Sequence, residues 1–98
     1  MRSPPSRPTD AVTHIGIENF FPTQEQTRVL ELVALGLSSR EIGERLWISR
    51  QTVTYHISNL LAALGVQTRA GLVARAYALG LLEPGCWPPH VLSGRARR

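Results

Sequence analysis

The sequence predicts an all-α fold of four helices, and three observations predict it. Four segments open on a Ser or Thr that can cap a helix: Thr23, Ser38, Ser49 and Thr68. Apolar residues then recur at helical spacing within each segment. Gly36, Gly65 and Gly80 stand where three of the segments should stop.

The first helix opens at Pro22-Thr23, where Gln26 sits three residues on and completes a capping box. Val29, Leu30, Leu32, Val33 and Leu37 supply its apolar positions, and Gly36 ends it. Ser38 caps the second helix with Glu41 as its box partner. Ile42 and Leu46 are its core positions, and it ends near Trp47. Ile48 is a short apolar link. Ser49 opens a third helix over 49–64, and Val53, Ile57, Leu60, Leu61 and Leu64 form its buried stripe. Thr68 opens a fourth over 68–80, with Leu72, Val73, Ala76, Tyr77 and Leu79 apolar on more than one side.

The domain is therefore expected at residues 22–82, with an extension on each side. Residues 1–10 hold three Pro and read as disordered. Residues 11–21 carry Val12, Ile15, Ile17, Phe20 and Phe21, too apolar for a free tail, and are expected to pack on the domain or on a second subunit. Residues 83–98 form a Pro/Gly/Arg-rich tail with no regular element. Within it Trp87 could tuck against the domain, while Arg95, Arg97 and Arg98 should be solvated.

Composition narrows the function. The chain has 98 residues, is 43% hydrophobic and carries a net charge of +4, from 11 Arg, no Lys and 7 acids. A basic excess in a small protein suggests a polyanionic partner, nucleic acid first. A GC-rich codon usage would explain the absence of Lys but not the excess charge. No apolar run approaches the ~18 residues of a membrane span, and the N-terminus lacks a signal-peptide core. The single cysteine, Cys86, excludes a disulfide framework and a Cys-based zinc site within the monomer, so a reducing cytoplasm is the expected location.

A short helix, a tight link and a longer helix have the proportions of a helix-turn-helix, which sets its second helix in a DNA major groove. The third helix opposes its buried stripe with Gln51, Thr54, Tyr55, Ser58 and Ala62, and none of these is an acid. A surface meant for phosphates should exclude carboxylates. Gln can pair with adenine, Thr and Tyr can touch a thymine methyl, and Ser can bond bases or phosphates.

The stretch from Gly36 to Ala76 resembles the DNA-binding domain of the LuxR/GerE (FixJ/NarL) transcription regulators. The matching residues are Gly36-Leu37-Ser38, Glu41-Ile42, Leu46, Ile48-Ser49, Thr52-Val53, His56, Asn59, Leu64-Gly65-Val66, Arg69 and Leu72-Val73. The resemblance implies a four-helix domain that binds promoter DNA, usually as a homodimer. It assigns base reading to Thr54, Tyr55 and Ser58. Arg50, Gln51, Thr52 and Asn59 fall nearer the backbone, and Ser38 and Arg40 lie beside a phosphate. Arg69 serves either phosphate or fold, and His56 is mainly structural. The fourth helix is the implied dimer contact, through Val73 and Tyr77. RNA polymerase or another regulator is a possible further partner.

Three departures stand out. The family usually has Lys where this chain has Thr54, and Lys or Arg where it has Ala63. Its first helix usually begins Arg-Glu, where Glu25 and Gln26 stand here. Fewer cations imply weaker nonspecific affinity, a shallower salt dependence, or reliance on a partner or on the tail arginines. Only 21 residues precede the domain, too few for the receiver or ligand-binding domain that most members carry.

Two other classes remain open: a relative of sigma-factor region 4, and a degenerate helix-turn-helix that binds protein. Enzymatic function is not expected. His14, His56 and His90 have no metal-type spacing, and no phosphate loop or nucleophile elbow occurs. Cys86 and His90 in a Pro-rich stretch read as incidental, and no cofactor or metal is expected.

Overall fold

The computed structural model describes residues 20–92. The expectations for residues 1–19 and for Arg95, Arg97 and Arg98 lie outside the described residues. Four helices follow in order: α1 (Gln24–Leu35), α2 (Ser39–Leu46), α3 (Arg50–Leu64) and α4 (Arg69–Ala78).

Each helix starts where a hydroxyl can satisfy a free backbone N–H. Gln26 N–H donates to Thr23 Oγ1 at 3.1 Å, and Thr23 N–H donates to Gln26 Oε1 at 2.9 Å. Glu41 N–H donates to Ser38 Oγ at 3.1 Å, and Ser38 N–H returns to Glu41 Oε1 at 2.8 Å. Ser49 and Thr68 accept from the N–H groups of Thr52 and Gly71, both at 3.0 Å. Gly36 and Gly65 end α1 and α3 in the left-handed region. Gly80, also at positive φ, lies just beyond the C-cap of α4, Leu79.

The apolar stripes meet in one core. Val29, Leu30 and Val33 of α1, Ile42 of α2, Val53, Ile57, Leu60 and Leu64 of α3, and Leu72 and Ala76 of α4 are all buried. The α3 helix packs on each of the other three. Its His56 reaches α1, with Nε2 3.5 Å from Glu25 Oε1.

The chain after α4 departs from the sequence expectation. Residues 83–92 turn back on the domain instead of leaving it as a tail. Leu82 and Val91 form an isolated antiparallel bridge, and Leu92 N–H donates to Leu81 O at 3.0 Å. Leu81, Leu82 and Val91 are buried in the same core as the helices. Val91 N–H donates to Glu31 Oε2 on α1 at 2.7 Å. Burial of Leu82 and Val91 on either side of the loop drives this return, because their apolar surface has no other cover. Trp87 does not tuck in; it is 74% exposed at the loop's tip.

Candidate nucleic-acid interface

The α2–α3 pair is held at a close crossing by Gly43. A Cβ built on this buried residue would lie 2.7 Å from the carbonyl oxygen of Ile48, so only glycine lets the link pass. Ile48 N–H donates to Gly43 O at 3.0 Å and fixes that passage. Trp47 takes the left-handed C-cap position, φ 61°, where glycine is the common choice. Its ring is 92% exposed and contributes little packing. The turn is thus set by a glycine inside α2, while the residue at the turn itself is a tryptophan.

The α3 helix presents an exposed strip with no carboxylate. Arg50, Gln51, Thr54, Tyr55, Ser58, Asn59 and Ala62 are exposed, and Tyr55 retains 64% of its surface. Among the described residues, Arg50 makes no side-chain hydrogen bond or ion pair, so its guanidinium is available to a ligand. Thr52 is only partly exposed, and its hydroxyl lies 2.9 Å from Ser49 Oγ within the cap. The strip can offer hydroxyls, amides and one aromatic ring to a polar surface, with a cation at its N-terminal end.

Beside the strip, a cleft of about 770 Å³ opens between the α1–α2 link, the start of α2, Arg50 and the start of α4. Arg40, Arg50 and Arg69 line it, together with Ser38 and Ser39. These cations are differently engaged. Arg40 is exposed and its Nε lies 3.3 Å from Glu44 Oε2, a surface pair one helical turn apart. Arg69 is half-buried. Its Nη1 donates to Leu37 O at 3.1 Å, and its Nη2 donates to Ser39 Oγ. It therefore staples the start of α4 to the link before α2. Ser38 spends its hydroxyl on the cap of α2. That cap also acts on Glu41: hydrogen bonds from the Ser38 backbone and then its side chain hold the carboxyl below its ordinary range, with smaller help from Arg40 and Arg45.

The structure thus brings Ser38, Arg40, Arg50 and Arg69 around one cleft and sets Gln51, Thr54, Tyr55, Ser58 and Asn59 on one exposed surface. Val73, half-buried on α4, lines the same cleft, while Tyr77 lies further along α4 and outside it; both also touch the core. Gly43 was missed in the sequence. A glycine between Ile42 and Glu44 inside a short helix was its only signal.

The fold and its short-linked helix pair define a helix-turn-helix domain. Comparison with known proteins makes the class specific. The family described as bacterial regulatory proteins, luxR family, matches residues 23–76. This chain belongs to that family. It is 38% identical over 61 residues to the spore germination protein GerE of Bacillus subtilis (strain 168), covering 62% of this chain and 82% of that protein. It is 40% identical over 61 residues to the transcriptional regulatory protein DegU of Brevibacillus brevis, covering 62% of this chain but 26% of DegU. The transcriptional regulatory protein LiaR of Bacillus subtilis (strain 168) is 38% identical over 64 residues, covering 61% of this chain and 30% of LiaR. The chain therefore spans under a third of DegU and LiaR. No helix among the described residues is long and apolar enough to cross a membrane.

Proposed function

We propose that this protein regulates transcription by binding duplex DNA, with α3 in the major groove and Thr54, Tyr55 and Ser58 against base edges. The observation that carries this reading is the acid-free, exposed strip of α3 with the unengaged Arg50 at its start. A solvated helix face normally mixes acids with bases, and a phosphate-facing one cannot afford acids. Gln51, Asn59 and Arg50 would contact the backbone, which fixes register without reading sequence. Arg40 would join them after releasing Glu44. Arg69 and Ser38 act on this surface by holding α2 and α4 in place. Membership of a bacterial regulatory family supports the same reading.

A homodimer through α4 fits the shape of that helix. Ala70, Ala74 and Ala78 are exposed one turn apart, and the half-buried Val73 and Tyr77 border them. Such small side chains permit close approach of a second helix, and a twofold pair would read two half-sites.

The charge balance adds one feature. Residues 20–92 hold six of the eleven arginines but five of the seven acids. The positive excess therefore lies mostly in the terminal segments, which would supply much of the nonspecific attraction to DNA. Incubating the purified protein with fragmented genomic DNA, recovering the bound fragments and sequencing them tests the reading. A shared sequence element in the bound fragments is expected. Recovery of no fragments at low salt would contradict it.

A further inference from the structure

The loop from Glu83 to His90 gathers three donor side chains that the helix-turn-helix does not use. Cys86 Sγ lies 3.1 Å from His90 Nδ1, and His90 Nε2 lies 2.8 Å from Glu83 Oε1. One donor atom from each of the three residues lies within 4.8 Å of the other two. We propose that Glu83, Cys86 and His90 bind one divalent transition-metal ion of the zinc class. A single cysteine cannot build a cysteine-rich site, but here an imidazole and a carboxylate complete the set.

The donor chemistry selects the ion. Thiolate and imidazole favour zinc, cobalt or nickel over magnesium and calcium, which take oxygen donors. Bonds of ~2.0–2.3 Å place tetrahedral zinc donors roughly 3–4 Å apart. An ion takes one ring nitrogen, so with Cys86 at Nδ1 and Glu83 at Nε2 one of these two side chains must swing round to join the other on the same side of the imidazole. Their mutual separations leave room for that move. The backbone already holds the frame. Glu83 N–H donates to His90 O at 3.0 Å, and the Leu82–Val91 bridge fixes both arms of the loop. All three donors are within solvent reach, which gives the ion an entry path and leaves a fourth position for water. On binding, the Cys86 S–H bond is replaced by a metal–sulfur bond and the proton passes to solvent. The ion would tie the two arms of the loop together and so strengthen the docking of Val91 on α1.

The test uses the full chain, stripped with a chelator and kept reduced with a phosphine. Zinc is titrated by calorimetry, and cobalt by absorption. One ion per chain is expected, with a near-ultraviolet sulfur-to-cobalt band and a rise in melting temperature with zinc. Cys86→Ser and His90→Ala should each weaken binding by about 10-fold or more and remove the temperature rise. Glu83→Gln, the mildest change, should weaken it while circular dichroism stays that of the parent. Absence of saturable binding, one ion per two chains, or affinity unchanged in Cys86→Ser and His90→Ala would each overturn the site.

Discussion

Gly43 and Ile48 approach so closely that a methyl group on the glycine would stand 2.7 Å from the isoleucine carbonyl oxygen. The obstructing atom is backbone, so it cannot rotate away. The link between α2 and α3 must move, and α3 with it. Gly43→Ala is predicted to cost about 1–3 kcal/mol in urea unfolding. It should also weaken DNA binding by more than the lost stability explains, because the strip on α3 changes its angle. Parent-like affinity in folded Gly43→Ala would show that the crossing is not critical.

Trp47 gives the opposite expectation. A non-glycine residue in the left-handed region is disfavoured by about 1 kcal/mol or more, and its exposed ring returns little packing. Trp47→Gly should raise stability by a sizeable part of that amount, measured by thermal melting. An unchanged or lower melting temperature would show that the left-handed position of Trp47 costs the fold little.

Arg50 and Arg69 line one cleft yet should respond differently. Arg50→Ala is predicted to weaken DNA binding and to lower the slope of log affinity against log salt by about 1, with the melting temperature unchanged. Arg69→Ala removes two hydrogen bonds from a charged donor to the α1–α2 link and α2. It should cost about 1–2 kcal/mol of stability and leave the salt slope near that of the parent. A reversed pattern would exchange their roles.

Glu41 links the cap of α2 to pH. Its carboxyl is held below the ordinary value of 4.5 in the folded chain, chiefly by the Ser38 backbone N–H and then the Ser38 hydroxyl. The folded state therefore binds fewer protons than the unfolded one in mild acid. This contribution is complete above the unfolded value and is lost as pH falls through the folded one. Glu41→Gln keeps the reciprocal bond, as Gln26 does with Thr23, but cannot titrate. Melting curves from neutral pH to pH about 3 should show a smaller acid loss in Glu41→Gln than in the parent.

Glu31 anchors the returning chain through Val91. Glu31→Ala leaves a part-buried N–H without its charged acceptor and is predicted to cost about 1–2 kcal/mol. Hydrogen exchange should rise at Val91 and Leu92 before it rises in α3.

The helices and their starts were legible because capping is local. Thr23 with Gln26 and Ser38 with Glu41 declare themselves within three residues. The face of α3 was legible because one period separates Val53, Ile57, Leu60 and Leu64 from the exposed strip. Long-range relations carried no such signal. Arg69 reaches Leu37 and Ser39 across some thirty residues, and nothing near Arg69 indicates those partners. The return of Val91 to Leu82 crosses a stretch rich in Pro and Gly, where no period exists. Its cause is the burial of two apolar side chains, which depends on the finished core. Gly43 was hidden for a different reason: a glycine inside a helix reads as a weakness until the neighbouring chain is seen passing over it.

If the exposed strip of α3 reads bases, altering it must alter which duplexes the protein prefers. Selection of bound duplexes from a randomised pool, run in parallel on the parent and on Tyr55→Ala, tests it most directly. A defined motif is expected for the parent, and a changed preference at one or two positions for Tyr55→Ala, with parent-like melting. An identical motif from both proteins, or no enrichment by the parent in dilute salt, would contradict it.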